Sequence, residues 1–121
     1  MANMLVVDDE REIVRVLAEY LRERGHEVWE ASSGPQALTL ARHYQFDVAF
    51  LDLMMPGMDG NETLRCLKLQ SPGTVVIMVS GVSDERLAVQ SMTLGAFDYV
   101  RKPFDLRRLE SVVLHGLAMR G

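Results

Sequence analysis

Three short stretches, Met4 to Val7, Val48 to Leu51 and Val75 to Val79, are continuously apolar and rich in Val and Leu, with no polar residue alternating through them. A strand with one wetted face alternates; an unbroken apolar run of this length is the pattern of a strand buried on both faces, as in a parallel sheet covered by helices. Glu27 to Ala31 and Asp98 to Val100 read as weaker strands. Helical patterns lie between them. The first places Ile13, Val16, Leu17, Tyr20 and Leu21 on one face and Arg11, Glu12, Arg15, Glu19, Arg22 and Glu23 elsewhere, with Gly25 positioned to end it. A second starts near Ser33-Gly34-Pro35, where Ser or Gly caps and Pro suits the first helical position, and runs to about His43. A third, about Asn61 to Gln70, is stopped by Ser71-Pro72-Gly73, and a fourth, about Asp84 to Leu94, ends at Gly95. The last begins after Asp105, an N-cap residue, and is expected to bury Leu109, Val112, Val113, Gly116 and Leu117.

Strand and helix alternating five times, with short connections, predict an α/β fold of three layers: a five-stranded parallel sheet with helices on both faces. Right-handed crossovers leave few topologies, and the flavodoxin-like strand order 2-1-3-4-5 is the natural one for a (βα)5 chain. With 121 residues, 48% of them hydrophobic and 25% charged, residues 1–121 are expected to form one domain with a substantial core. Few aromatics beside eight Met point to an aliphatic interior.

Charge and composition narrow the function. A net charge of −4 and a pI near 5.3 argue against direct binding of nucleic acid by this domain, because such binding rests on positive charge meeting phosphates. No apolar run approaches the roughly 20 residues that span a bilayer, and the single Cys66 calls for no oxidising compartment, so a cytoplasmic location without membrane contact is expected.

In open parallel sheets the ligand site lies beyond the carboxyl ends of the strands, where strand order reverses. Polar residues fall there: Asp8 and Asp9 after the first apolar run, Asp52 after the third, Ser80 after the fourth, Lys102 after the fifth. Carboxylates gathered in one pocket repel one another unless a cation sits among them or some are protonated. A hard divalent cation such as Mg2+, which takes oxygen ligands and is commonly held by one or two carboxylates plus a phosphate, resolves the conflict. Lys102 then offers a fixed positive charge and Ser80 a hydroxyl to an incoming anion. These parts suit phosphoryl transfer, with Asp52 as the nucleophile that forms an acyl phosphate.

The doublet Asp8-Asp9, the segment from Leu51 through Met55-Pro56 to Asp59-Gly60, Ser80-Gly81, and the segment from Gly95 to Phe104 resemble the chemotaxis-regulator-like receiver domains of two-component response regulators, over essentially the whole chain. The resemblance implies that Asp52 is the phosphoacceptor, that Asp9 and Asp52 ligate the metal with Asp8 acting largely through water, and that the Met54 backbone carbonyl is a further ligand. It implies that Lys102 contacts the phosphoryl group, that the Lys102-Pro103 peptide bond is cis, and that Ser80 and Tyr99 form a hydroxyl and aromatic switch pair. Phe97 and the Val82-Ser83 loop match positions where the family varies freely. Phosphorylation is then expected to draw the Ser80 hydroxyl inward, let Tyr99 turn toward the core, and change the surface formed by the fourth helix, fifth strand and fifth helix, through which a homodimer can form. The implied partners are a sensor histidine kinase and an output domain or downstream protein. Gly95 to Leu106 is similar to receivers of ATPase-type transcriptional activators and of sensor kinases; both an excised domain and a stand-alone regulator fit.

Each residue also has a plainer reading. Asp8 and Asp9 suit the positive end of a helix, Ser80 before Gly81 suits a turn, and Tyr99 suits core filler. Their joint placement at separate strand ends is what favours a site. His26, His43 and His115 have no metal-ligand spacing and are expected at the surface, and Arg101, Arg107 and Arg108 form a solvated basic patch. A flavin module would share the topology, but Asp8-Asp9-Glu10 is the wrong loop for a phosphate cradle. A metal-dependent phosphatase with an aspartyl nucleophile usually carries a second acid two residues on, where this chain has Met54. An unphosphorylated docking platform conflicts with the intact acidic and lysine set. The chain is therefore expected to act as a phosphoacceptor switch, not a turnover enzyme.

Overall fold

A computed structural model describes residues 2–81 and 84–120; the Val82-Ser83 loop lies outside the described residues. The chain runs β1 (Asn3–Val7), α1 (Arg11–Glu23), β2 (Glu27–Ala31), α2 (Gly34–His43), β3 (Val48–Asp52), α3 (Gly60–Gln70), β4 (Val75–Ser80), α4 (Glu85–Thr93), β5 (Asp98–Arg101) and α5 (Leu106–Met119). Every strand pairing is parallel and the order is β2-β1-β3-β4-β5, as the alternation predicts. The helix ends follow the capping chemistry: Ser33, Asp59, Asp84 and Asp105 each accept a hydrogen bond from a first-turn N–H. Gly25 and Gly95 end α1 and α4 at φ +89° and +109°, a backbone region closed to most side chains.

The period of two along each strand divides the interior. Met4, Val6, Val48, Phe50, Ile77, Val79 and Val100 face α1 and α5, while Leu5, Val7, Ala49, Leu51, Val76 and Met78 face the layer containing α2 and α3. That is why the three apolar runs show no alternation: both faces of β1, β3 and β4 are covered.

The buried face of α1 differs from the expected one. Leu17 and Leu21 point inward as expected, but they are joined by Val14 and Ala18, with Ile13 and Tyr20 at the margin and Val16 49% exposed. Val16 lies about 100° around the helix from Leu17, and so does Ala18 on the opposite side. The sheet receives the side with the small Ala18, which lets the helix backbone approach. Leu117 on α5 is partly buried at the edge of the same cluster.

One close approach anchors the site. The N–H of Gly60 donates to the carbonyl of Leu53 at 2.7 Å, and a Cβ at Gly60 would meet the Asp52 carbonyl oxygen and the Leu53 Cα. Both are backbone atoms that cannot rotate away, so the start of α3 is pressed against the end of β3. Gly60→Ala is expected to lower unfolding free energy by about 2 kcal/mol, read from the urea midpoint, as over-packing against an unyielding neighbour does.

Candidate phosphoryl-transfer site

Asp52 and Ser80 are the last residues of β3 and β4 and do not lie beyond them; Asp52 pairs with Val79 and Ser80 with Arg101. Asp8 follows β1, and its backbone N–H donates to the Ala31 carbonyl, which carries the β1–β2 ladder one residue further. Lys102 follows β5, its N–H donating to the Ser80 carbonyl at 2.8 Å, and the Lys102-Pro103 peptide bond is cis. Parallel pairing around β1 and β3 therefore delivers these residues to one end of the sheet.

Asp8 is buried. One of its carboxylate oxygens accepts from the Glu10 N–H at 2.9 Å, closing a local turn, and the other receives the Lys102 Nζ at 2.8 Å. The doublet thus does not cap α1 through a side chain: the N-cap residue is Glu10, which makes no side-chain capping bond. Lys102 Nζ also reaches Glu10 Oε1 at 3.2 Å and lies 3.6 Å from Asp52 Oδ1. Only 13% of the Lys102 side chain and 6% of the Asp52 side chain remain exposed, so this charge triangle is shielded from water.

Carboxylate oxygens of Asp8, Asp9 and Asp52 lie within 4.8 Å of one another, with Asp9 exposed and the other two buried. The crowding shows in Asp52. Burial and the neighbouring Asp8 carboxylate push its pKa up to about 7, against the opposing pull of the Lys102 ammonium and a hydrogen bond from the Met54 N–H. Lys102 responds in the other sense: burial alone would weaken its charge, but the Asp8 hydrogen bond and the Asp52 and Glu10 carboxylates hold its pKa above the ordinary lysine value. One ammonium against this many acids leaves negative charge uncompensated, and hard oxygen donors around such a deficit are what a divalent cation requires.

The structure thus brings Asp8, Asp9, Asp52 and Lys102 together, with Ser80 buried on the neighbouring strand end. Tyr99 is paired with Met78 on β5 and packs, partly buried, against the α2 and α3 side of the core, outside the acid cluster. Met54, next but one to Asp52, has an exposed side chain. His43 and His115 are exposed, as are Arg101, Arg107 and Arg108, whereas His26 is half-buried and accepts from the Ala2 N–H. The place of Glu10 beside Lys102 has no signal in the sequence except that Glu10 extends the acidic run Asp8-Asp9. A groove of about 450 Å³, lined by Asp8, Arg11, Arg15, Glu30, Ser32 and Gln36 among others, opens beside the cluster.

Comparison with known proteins identifies the family and the fold. The family described as response regulator receiver domain matches residues 4–114. The chain is 36% identical over 118 residues to the Regulatory protein AtoC of Escherichia coli, covering 98% of this chain and 26% of that protein. It is 35% identical over 109 residues to the Response regulator SaeR of Staphylococcus aureus, covering 90% of this chain and 47% of that one. The chain therefore spans half or less of these relatives' lengths. The crystal structure of a CheY-like response regulator receiver domain protein from Methanospirillum hungatei superposes with a TM-score of 0.96 at 29% identity, covering 99% of this chain and 96% of that one. Among the described residues no helix is long and apolar enough to cross a membrane.

A carboxyl whose pKa is raised by folding binds a proton in the native state that the unfolded chain has already released, so its contribution to stability declines as pH rises from its unfolded value near 4 to about 7. In metal-free protein, the stability advantage of Asp52→Asn over wild type is therefore expected to grow across that interval and to level off above it. Urea midpoints measured at successive pH values check this. Lys102→Met removes the ammonium that opposes the rise and is expected to raise the Asp52 pKa further, as followed by carboxyl-carbon NMR.

Proposed function

The chain belongs to the response regulator receiver domain family, and we propose that it is a phosphorylation-controlled switch that accepts a phosphoryl group from a sensor histidine kinase on Asp52. The observation that carries this reading is the convergence of the buried Asp52 with Asp8, Asp9 and the Lys102 ammonium at one end of the sheet. In its ionised form an Asp52 oxygen attacks phosphorus; the phosphorus–nitrogen bond of the kinase phosphohistidine breaks as the phosphorus–oxygen bond forms, and the electron pair leaves with the imidazole.

Asp9, Asp52 and the Met54 backbone carbonyl would hold Mg2+, with Asp8 acting largely through water. When bound, the ion supplies charge neutralisation to the carboxylates and to the phosphoryl oxygens. Lys102, already held by Asp8 and 3.6 Å from Asp52, supplies the fixed countercharge on the other side, and Ser80 supplies a hydroxyl donor from the end of β4. Ser80 drawn toward the phosphoryl group makes room for Tyr99 to turn inward, which alters the face of α4, β5 and α5. Val89 and Met92 on α4 and Leu114 on α5 are exposed apolar residues available to a downstream protein, an output domain or a second copy of this chain. A cytoplasmic location fits a kinase-fed switch.

A phosphatase with sustained turnover would need an acid near the leaving group. Met54, an apolar residue with an exposed side chain, occupies the place where that acid is usually found.

Incubation with Mg2+ and acetyl phosphate, followed by intact mass measurement, is expected to show one hydroxylamine-labile phosphoryl adduct on wild type and none on Asp52→Asn. An adduct on the variant, or continued release of phosphate at many turnovers per chain, would overturn the reading.

A further inference from the structure

The fourth helix is held in an unusual way. The buried residue of α4 is Ser91, a polar side chain with no exposure; Leu87, Ala88 and Leu94 beside it are only partly buried, and Val89, Gln90 and Met92 are exposed. Each of the other helices, α1, α2, α3 and α5, buries at least one apolar side chain. Ser91 Oγ donates to Asn61 Oδ1 at 2.6 Å, with the Leu87 carbonyl at 3.0 Å as a second acceptor, and Asn61 Nδ2 lies 3.4 Å from both the Leu87 carbonyl and Gln90 Oε1. Asn61 is itself buried, on the first turn of α3.

The position of Asn61 matters because of its neighbour. Gly60 is pressed against the Asp52 carbonyl and bonded to that of Leu53, so a change in the peptide leaving β3 shifts the start of α3 and carries Asn61 with it. A continuous path of packed and hydrogen-bonded groups therefore runs from Asp52 through Gly60 and Asn61 to Ser91. It crosses neither Ser80 nor Tyr99. A hydrogen bond between two buried groups is directional, and neither partner has water to fall back on, so the helix it anchors has a small set of allowed positions where an apolar contact would tolerate sliding.

We propose that the Asn61–Ser91 hydrogen bond is a latch that sets the position of α4 against α3 and transmits the state of Asp52 to α4. The inference rests on the reading of Asp52 as phosphoacceptor. The groove above the latch, about 280 Å³ and lined by Leu53, Met54, Leu87, Gln90 and Leu94 among others, is where the rearrangement is accommodated.

Amide hydrogen exchange of α4, measured with and without Mg2+ and acetyl phosphate, tests this, with intact mass recorded on the same samples. In wild type, phosphorylation is expected to change α4 exchange. Ser91→Ala, a replacement that favours helix and fills no new space, is expected to speed α4 exchange roughly tenfold before phosphorylation, about what losing a buried hydrogen bond produces, and to leave little further response afterwards. The adduct on Asp52 should form to the same extent in both. Asn61→Ala, which also loses the Nδ2 contacts to Leu87 and Gln90, should speed α4 exchange at least as much as Ser91→Ala, and adding Ser91→Ala to it should add little. Normal adduct formation with unaltered α4 exchange in Ser91→Ala, with a full phosphorylation response retained in it, or with no α4 response in wild type, overturns the latch. Failure of wild type to form any adduct overturns the phosphoacceptor reading instead, and the latch is then judged by α4 exchange without phosphodonor.

Discussion

The structure turns on a buried conflict of charge: Asp52 is enclosed beside Asp8, with the Lys102 ammonium, among the described residues, as the one cation bonded to the pair. Neither carboxylate could be buried alone without a large penalty, and the ammonium that relieves them comes from the far end of the sequence. Strand order makes this possible. Because β1 and β3 are neighbours and β5 reaches the same end through β4, three distant segments close on one point without any loop having to fold back. The relief is incomplete, and the raised pKa of Asp52 records the remainder. A fully neutralised cluster would be more stable and inert; the deficit is what a cation and, on the proposed reading, a phosphoryl group would act on.

Around that point the rigidity is graded. Asp52 and Ser80 sit within the sheet's hydrogen-bond ladder, and the strands behind them are packed on both faces, so the reacting groups have little freedom. The start of α3 is locked to the end of β3 by the contact at Gly60. Farther out, α4 rests on a polar anchor and partly buried neighbours, which places it among the less secured elements of the fold. On the proposed reading, a phosphoryl group at a rigid centre would meet a looser helix at the periphery, the arrangement a two-state response needs.

Much of this was readable from residue order because it depends on local periodicity and on a general property of parallel sheets. The unbroken runs ending at Val7, Leu51 and Val79 identified the doubly covered strands, and the rule that sites lie at strand carboxyl ends then gathered Asp8, Asp9, Asp52, Ser80 and Lys102. What could not be read depends on rotation and distance. The choice of Ala18 over Val16 for the buried side of α1 reflects how closely the helix meets the sheet, which hydrophobicity does not encode. The Asn61–Ser91 bond joins residues on two helices whose relative rotation is set only in the assembled fold, and Glu10 meets Lys102 only because the long Lys102 side chain, leaving the end of β5, reaches across the strand ends to the segment after β1.

The central claim, that crowded carboxylates at the strand ends form a cation site whose charge is partly held off by a proton on Asp52, is tested most directly by titrating Mg2+ calorimetrically in buffers of different ionisation heat. Saturable binding is predicted to release close to one proton at about pH 6 and almost none at about pH 9, and Asp52→Asn should abolish the release. The account is contradicted by an absence of saturable binding, or by proton release that is independent of pH or persists in Asp52→Asn.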